Sequence, residues 1–324
     1  MSLRQCLAGV VYLSVALLIA GFAGGCRPSS NDGGGTAGLE KGSDAKAGPS
    51  AGSRGKGIQN TGSDTMVNLA QAWAEAYHEV KPSVSIQVSG GGSGVGIAAL
   101  QSGQVDIANA SREIKPAEAE KVKQNTSKSP VETHVAYDAL AVYVHKDNPL
   151  AQISIEELAG IFGEGGKTDK WSQLGIQNKL CPNDEIIRVS RQSSSGTWMY
   201  FREAILGEKR DYKAGSRDMN GSKDVVELVG NTPCAIGYSG MGYKTDAVKW
   251  LKVSKKKGEP GVAPSIESAL NGSYPIARKL YMYTLGEPAG DVKDYLQWIL
   301  SDPGQKIVKE TGYVPLPKKE EPRR

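Results

Sequence analysis

The sequence predicts an α/β fold, and two features of the chain support that prediction. Short runs of β-branched and apolar residues alternate with amphipathic runs along most of the chain. This alternation is typical of layered α/β proteins whose strands pair mostly in parallel. In addition, three predicted strand-to-helix turns consist mainly of small residues, at residues 62–65, 92–96 and 194–197. Because parallel sheets place ligands at the carboxyl ends of their strands, we expect the three turns to converge on one site.

The N-terminus carries a targeting signal that is excluded from the fold. Residues 7–20 are nearly all apolar, and this run is too short to cross a membrane comfortably. Arg4 precedes the run and small residues follow it, ending at Cys26. This pattern resembles the lipobox of bacterial lipoproteins, which implies a signal peptide over residues 1–25 and lipidation of Cys26. The alternative is a plain signal peptide with an incidental cysteine. Residues 26–56 are rich in glycine and serine and predict a flexible tether.

From residue 57 onward, hydrophobic periodicity places the elements in order. Met66, Leu69, Trp73 and Tyr77 lie on one face of the first helix, which Pro82 ends. Ser154 and Glu157 form a capping box for a helix that reaches Phe162. The same rules predict strands at residues 84–88, 104–108, 131–145, 186–189, 234–238, 247–253 and 277–285, and helices at 97–101, 116–123, 198–205, 222–229, 292–300 and 303–311.

Composition and charge narrow the classes of function. The chain has 324 residues, which suits two domains, and 39% of them are hydrophobic, as in globular proteins. The net charge of +4 is mild, and the basic residues form short runs without interleaved aromatics, so we expect no nucleic acid partner. Cys181 and Cys234 remain after the signal is removed. In an exported protein they are candidates for a disulfide, although the sequence leaves the pairing open.

The turn that follows the strand at residues 186–189 has the chemistry of an anion site. Ser195, Gly196 and Thr197 stand at the start of a helix, where backbone N–H groups lack partners and the helix dipole is positive. Arg191 adds a fixed charge whose planar fork matches a tetrahedral oxyanion. The alternative is an ordinary serine N-cap beside a surface arginine.

Enzyme chemistry has little support in the sequence. The glycine-rich turn at residues 90–96 lacks the Lys-Ser/Thr of a Walker loop and the glycine spacing of a dinucleotide fingerprint. The serine turn lacks the Gly-x-Ser-x-Gly of a nucleophile elbow. No cluster of histidine and cysteine has metal-ligand spacing. We therefore expect no catalytic residue, no metal and no cofactor.

Several segments, in this order, resemble the phosphate-binding lipoproteins of bacterial phosphate ABC transporters, the PstS family. The matching segments are residues 62–65, 92–96, 105–112, 191–197, 235–238 and 274–278. The resemblance implies a two-lobe type II periplasmic-binding-protein fold with a ligand cleft between the lobes. Lobe one would comprise residues 57–139 and 277–324, and lobe two residues 140–276. Two crossover strands would join them, near residues 136–144 and 279–284.

The resemblance also implies a set of phosphate-binding residues. Well-known members of the family have an aspartate that accepts the proton of hydrogen phosphate, and Ser111-Arg112 replaces it here. Asp64 is a candidate for that role, and its alternative is an N-cap. Arg112 is either a second anion clamp or a salt-bridge partner at the cleft rim. The full set implied is Asp64, Thr65, Ser93, Ser111, Arg112, Arg191, Ser195, Gly196 and Thr197.

The function implied is that of a solute-binding lipoprotein outside the cytoplasm. It would capture inorganic phosphate and deliver it to an ABC transporter permease. We expect a monomer, lipid-anchored to a bacterial membrane and facing the periplasm or the cell exterior. Other tetrahedral oxyanions, namely sulfate, molybdate or tungstate, are the second interpretation. A surface phosphatase and a ligand sensor that acts through a membrane partner remain as further alternatives.

Overall fold

The computed structural model describes residues 57–317. The expected signal peptide, Cys26, the tether and residues 318–324 lie outside the described residues. The described strands are β1 (Ile58–Gly62), β2 (Ile86–Ser89), β3 (Ile107–Ala110), β4 (Pro130–His145), β5 (Gln152–Ser154), β6 (Ile187–Arg191), β7 (Arg217–Met219), β8 (Ala235–Gly240), β9 (Val248–Trp250), β10 (Lys252–Ser254) and β11 (Ala277–Leu285).

The helices alternate with these strands, as the sequence predicts for an α/β fold. They are α1 (Val67–Val80), α2 (Ser93–Gln101), α3 (Pro116–Thr126), α4 (Ile155–Phe162), α5 (Gly196–Phe201), α6 (Ser222–Gly230), α7 (Ile266–Leu270), α8 (Gly290–Leu300) and α9 (Asp302–Glu310). None of the helices in residues 57–317 has the length and apolarity needed to cross a membrane.

One mixed sheet runs through the described chain. Its strand order is β2-β1-β3-β11-β4-β8-β6-β7, with β9 also beside β4, while β5 and β10 form a separate pair. The outer strands of the large sheet pair in parallel, but β4 and β11 pair antiparallel with each other and with their other neighbours. The expectation of mostly parallel pairing is therefore wrong for the centre of the sheet. Long antiparallel strands at the centre allow one strand to continue from one part of the sheet into the other.

β4 connects two halves of the sheet. Its residues 130–139 pair with β11, and its residues 140–144 pair with β8. β11 pairs over its whole length with the first part of β4, so no crossing occurs within residues 279–284, where the sequence analysis placed it. The chain returns from the part of the sheet around β8 to the part around β11 just before Ala277. There the Leu140 N–H donates to the Ile276 carbonyl at 3.0 Å. We call residues 57–139 and 277–317 the first half, and residues 140–276 the second half.

The core confirms the predicted helix faces. Leu69, Trp73 and Tyr77 on α1 are buried, and the Trp73 indole donates to the Gly304 carbonyl at 2.8 Å. The capping box before α4 also forms: the Glu157 N–H donates to Ser154 Oγ, and the Ser154 N–H donates to the Glu157 carboxylate. The capping box is a reliable local signal because it satisfies backbone groups that a helix start leaves unpaired, and the apolar stripe is reliable because one helix face must pack against the core.

Short elements account for most of the differences from the sequence prediction. In place of the single strand predicted at residues 247–253, the chain forms β9, which pairs with β4, and β10, which pairs with β5. The partner changes after Leu251, whose N–H bonds to the Val142 carbonyl of β4, whereas the Lys252 N–H bonds to the Ala151 carbonyl. The helix after Ser195 ends at Phe201 and continues as one π-helical turn, Arg202–Leu206. Strands β5 and β7 and helix α7, each of three to five residues, were not predicted. Cys181 and Cys234 form a disulfide with Cα atoms 5.1 Å apart.

Candidate functional site

The three small-residue turns converge, as the sequence predicts. Each follows a strand and opens a helix: β1 leads into the turn before α1, β2 into α2, and β6 into α5. Their hydroxyls meet in the interior. Thr65 Oγ1 lies 2.6 Å from Thr197 Oγ1, and the Ser111 N–H donates to Ser93 Oγ at 3.0 Å. We call the buried hydroxyl residues Thr65, Ser93, Ser111, Ser195 and Thr197 the hydroxyl cluster.

Gly196 lets the second half approach this cluster closely. A Cβ atom on Gly196 would lie 2.3 Å from Ser93 Oγ and 2.7 Å from Ser111 Oγ, both in the first half. Only glycine therefore fits at this point of contact. Beside it, Ser195 Oγ accepts hydrogen bonds from the N–H groups of Thr197 and Trp198, at 3.1 and 3.4 Å. Ser195 is thus the N-cap of α5, and its own hydroxyl proton is still free to donate.

A buried arginine that the sequence analysis did not assign to the site lies in the hydroxyl cluster. Arg278 on β11 donates from Nη2 to Thr197 Oγ1 at 2.9 Å and to Thr65 Oγ1 at 3.4 Å. Its Nη1 donates to the Ser111 carbonyl at 3.2 Å. The Tyr200 ring lies 5.4 Å from the guanidinium carbon, a cation–π distance. Arg278 is therefore the cation in contact with the predicted anion-binding groups.

Asp138 pairs with Arg278 and has one oxygen to spare. Asp138 Oδ2 accepts from Arg278 Nη2 at 2.8 Å and from Nε at 3.2 Å, and both side chains are buried. Asp138 Oδ1 has no hydrogen-bond partner among the residues that the structure describes. A carboxylate oxygen that is fully buried without a partner is costly, since it has lost its water. This oxygen therefore retains an unused capacity to accept a hydrogen bond.

Arg191 lies beside the cluster, but its donors are already engaged. Nε donates to the Met219 carbonyl, Nη1 to Ser222 Oγ, and Nη2 to both the Asn220 carbonyl and Asp64 Oδ2. Burial lowers the pKa of Arg191 from its ordinary value, and the Asp64 carboxylate opposes that decrease. The structure thus brings Arg191 to Asp64 and shows no hydrogen bond from it to the hydroxyl cluster.

The Asp64 carboxylate contacts both halves of the protein. The N-cap position of the turn that Asp64 begins belongs to Ser63, so the N-cap interpretation of Asp64 is wrong. One of its oxygens is paired with Arg191 at 3.0 Å, and the other accepts from the Gly91 N–H at 2.9 Å. With both oxygens bonded to the protein, Asp64 is a weaker candidate than Asp138 for accepting a ligand proton.

Arg112 forms a salt bridge, as one of the two sequence interpretations proposed. Its guanidinium donates to both Glu118 oxygens, at 2.8 and 2.7 Å, and to the Glu113 carbonyl. Burial acts to raise the pKa of Glu118, but hydrogen bonds from Arg112 and from the Lys115 amide lower it overall. Arg112 lines a groove of about 600 Å³ that Arg278 also lines, with Lys115, Tyr200 and Lys279. It therefore lies at the rim, outside the hydroxyl cluster.

Comparisons with known proteins decide the family. Residues 42–303 match the model of the PBP superfamily domain. The phosphate-binding protein PstS of Pseudomonas aeruginosa is 36% identical over 272 residues, which cover 81% of this chain and 84% of the relative. The chain belongs to the PstS family of the PBP superfamily. The PstS protein of Bacillus subtilis is 33% identical over 79% of each chain.

Solved structures of PstS-like proteins have the same fold. A structure from Clostridium perfringens, described as a phosphate ABC transporter substrate-binding protein with bound phosphate, is 29% identical with a TM-score of 0.72. It matches 81% of this chain and 100% of the solved chain. An ABC-type phosphate transport receptor from Vibrio cholerae is 26% identical with a TM-score of 0.63, over 80% of this chain and 100% of the other. The predicted α/β binding-protein fold and family are confirmed.

Two charged residues of the candidate site, Asp138 and Arg278, were not predicted from the sequence of this PstS-family chain. Asp138 stands inside the apolar run at residues 135–144, and Arg278 ends the segment 274–278 that helped to carry the resemblance. An ionised residue within an otherwise apolar strand signals a buried pair or a binding site, because such burial requires a partner. That signal was present, but only the antiparallel register of β4 and β11 places Asp138 opposite Arg278.

Within residues 57–317, no group of three or more histidine, cysteine, aspartate and glutamate side chains is arranged to hold a metal ion. The polar groups that meet in the cluster are instead hydroxyls, backbone amides and one arginine–aspartate pair. Such a set of oriented dipoles can surround an oxyanion without bringing a large opposing charge.

Proposed function

We propose that this protein captures inorganic phosphate between its two halves and delivers it to an ABC transporter permease. The observation that carries the proposal is the buried cluster at the junction of the halves, where hydroxyls from both halves contact Arg278 of the Arg278–Asp138 pair. The relatives named phosphate-binding protein PstS, and the phosphate-bound structure from Clostridium perfringens, support the same ligand.

The cluster binds the anion mainly through neutral donors. Thr65 and Ser93 from the first half and Ser195 and Thr197 from the second present hydroxyls, and phosphate oxygens replace the hydroxyl–hydroxyl contact between Thr65 and Thr197. Arg278 supplies the cation. Since Asp138 already offsets that charge, the buried site is near neutrality before the ligand enters, and the oriented dipoles stabilise the added charge.

Asp138 selects an oxyanion that carries a proton. Its unpartnered Oδ1 accepts the P–OH of hydrogen phosphate in a charge-assisted hydrogen bond. Sulfate at neutral pH has no proton to donate, so its oxygen would meet a carboxylate oxygen in a buried site. That repulsion discriminates against sulfate. Asp138 thus replaces the aspartate that well-known family members have at the position of Ser111-Arg112.

Ligand exchange requires the halves to separate. We propose that they are two lobes, residues 57–139 with 277–324 and residues 140–276. The hinge segments are β4 near residues 139 and 140 and the chain near residues 276 and 277, where the pairing changes partner. Bending a few residues at such connections is how two-lobed binding proteins open. The groove lined by Arg112, Tyr200 and Arg278 is then the path to the cluster.

The N-terminal pattern supports a location outside the cytoplasm. We propose export by the signal at residues 1–25, lipidation of Cys26 and tethering of a monomer to the membrane by residues 26–56. A tether holds the binding protein close to its permease and raises the effective concentration of the pair. We propose no enzymatic activity; the named relatives are transport proteins.

Equilibrium dialysis with radiolabelled phosphate tests this function. The ligand-stripped protein is expected to retain phosphate in excess sulfate, molybdate or tungstate. Arg278→Lys should weaken phosphate binding at least 30-fold, whereas Arg112→Lys, which changes another buried and ion-paired arginine, should change it less than threefold. The proposal would be overturned if an equal concentration of sulfate displaced phosphate, or if Arg278→Lys bound phosphate as tightly as wild type. Turnover of a chromogenic phosphate ester that Ser195→Ala abolishes would instead establish the phosphatase.

A further inference from the structure

The hydrogen bonds of the Arg191 side chain differ from those expected for an arginine that binds a ligand. Three of its four acceptors, the carbonyls of Met219 and Asn220 and the Ser222 hydroxyl, belong to the second half. The fourth, Asp64 Oδ2, belongs to the first half and lies 3.0 Å from Nη2. Arg191 is thus held in its own half by fixed acceptors and reaches the other half with an ionic hydrogen bond.

Asp64 is equally well fixed on the opposite side. Its Oδ1 accepts from the Gly91 N–H at 2.9 Å, within the first half. A Cβ atom on Gly90 would lie only 2.4 Å from this oxygen, so the glycine-rich turn can pass close to the carboxylate only without a side chain there. The glycine at residue 90 therefore serves the position of Asp64, and the carboxylate is oriented toward Arg191 without any ligand.

The glycine-rich turn makes further contacts with the second half next to this ion pair. The Gly94 N–H donates to the Ser194 carbonyl at 2.9 Å, and Ser194 Oγ donates to the Gly91 carbonyl at 3.2 Å. A Cβ atom on Gly92 would lie 2.7 Å from the Ser194 carbonyl oxygen. These contacts connect the two halves of the chain directly, and none of them involves the hydroxyls that face Arg278.

We propose that the Asp64–Arg191 ion pair and the contact between residues 91–94 and Ser194 form a latch that holds the halves closed. The inference rests on the proposed function, in which the halves separate to exchange phosphate. The latch contacts exist only when the halves are together, so they raise the population of the closed form. Because apparent affinity scales with the populated fraction of the competent form, the latch strengthens binding of every ligand by the same factor.

This assignment divides the site between two pairs of charged residues. Arg278 and Asp138 face the ligand and set which oxyanion binds. Arg191 and Asp64 face each other and set how long the closed form persists. Arg191 and Asp64 are therefore positioning residues, and their variants should change the dissociation rate without changing the preference for phosphate over sulfate.

Asp64→Asn is the decisive variant because it keeps the size of the side chain. Its amide oxygen can still accept from Gly91, which leaves an NH₂ group facing the guanidinium of Arg191, donor against donor. Asp106→Asn is the matched control: Asp106 also accepts from a backbone N–H, that of Gln59 at 2.8 Å, but both residues belong to the first half. Ser194→Ala is a milder variant that removes only the hydroxyl contact with Gly91.

Stopped-flow release of phosphate into a fluorescent phosphate trap measures the latch directly. Asp64→Asn should release phosphate at least tenfold faster than wild type, and Ser194→Ala about two- to fivefold faster. The phosphate-to-sulfate affinity ratio should stay within twofold of wild type in both variants. Asp106→Asn should match wild type in all of these measurements. Thermal unfolding checks that each variant is folded, and Ser194→Ala carries the test if Asp64→Asn is not.

Small-angle X-ray scattering of the ligand-free proteins separates the latch from the proposed ligand. Asp64→Asn should have a larger radius of gyration than wild type and Asp106→Asn, even if phosphate proves not to be the ligand. Unchanged scattering together with an unchanged release rate would overturn the latch. A changed phosphate-to-sulfate ratio in Asp64→Asn would also overturn it, since Asp64 would then contact the ligand. Failure of the wild type to bind phosphate would reject the proposed function alone.

Discussion

Replacement of Asp138 by asparagine should alter the ligand preference in a way that follows from its two oxygens. Oδ2 accepts from two nitrogens of Arg278, at 2.8 and 3.2 Å, whereas Oδ1 has no partner in residues 57–317. An asparagine keeps its only oxygen on the arginine side, where two donors require an acceptor. Its NH₂ group then takes the place of Oδ1. The group that faces the ligand changes from an acceptor to a donor.

The size of the effect follows from one hydrogen bond. A hydrogen bond to a charged group contributes about 2 kcal/mol, so losing the bond from the P–OH of phosphate weakens phosphate binding about 30-fold. Sulfate loses the repulsion from Oδ1 and gains a donor, so its affinity should rise at least tenfold. Together the two changes reduce the phosphate-to-sulfate preference by roughly two orders of magnitude or more.

Competition dialysis of wild type and Asp138→Asn against both anions measures this preference. Asp106→Asn is the control for loss of a carboxylate elsewhere, and thermal unfolding shows whether the variant is folded. An unchanged phosphate-to-sulfate ratio in Asp138→Asn would refute the reasoning. A uniform loss of both affinities would refute it as well, because it would mean that Asp138 only positions Arg278.

Three further predictions follow from the same structure. Gly196→Ala should weaken phosphate binding at least 100-fold by calorimetry, because its Cβ atom would lie 2.3 Å from Ser93 Oγ and keep the halves apart; affinity equal to wild type would contradict the close approach. Arg112→Ala should leave phosphate affinity within threefold but lower the free energy of unfolding in urea by about 2 kcal/mol, by loss of its charged hydrogen bonds. The pKa of Glu118 is lowered in the fold, so this stabilisation is present above the ordinary pKa of 4.5 and is lost as the pH falls through the lowered pKa of the folded state. If the unfolding free energy of Arg112→Ala decreased as steeply with acid as that of wild type, this explanation would be contradicted. Cys181→Ser with Cys234→Ser should cost about 4 kcal/mol, since the disulfide spans 53 residues, and an unchanged urea midpoint would argue against that figure.

Local signals in the sequence predicted much of the fold. The apolar face of α1, the capping box before α4 and the strand-to-helix turns depend on residues close in sequence, and each was found. The pairing directions of β4 and β11 depend on residues far apart in sequence, so local patterns could not reveal the antiparallel centre of the sheet or the position of the second crossing. Elements of three to five residues, such as β5 and β7, carry too little periodicity to be detected.

The candidate site also combines residues that local sequence predicts with residues that only the folded structure brings together. Four of the hydroxyl residues lie in the predicted turns, and Ser111 was implied by the family resemblance; the structure brings Thr65, Ser93, Ser111, Ser195 and Thr197 together. The charged partners could not be assigned from spacing, because an arginine bonds to whichever acceptors the fold brings to it. Arg191, beside the serine turn, was expected to meet the anion, and Arg112 was a candidate second clamp. Instead Arg191 meets Asp64, and Arg278, 87 residues further along the chain, meets the cluster.

Calorimetric titration of the signal-free, ligand-stripped wild-type protein with phosphate and then with sulfate tests the central claim most directly. The measurement is made below and above the second ionisation of phosphate. The account predicts saturable heat at one phosphate per protein under both conditions and no heat with sulfate, because Asp138 requires a proton from the ligand. Sulfate binding comparable to that of phosphate, or sulfate binding alone, would contradict it.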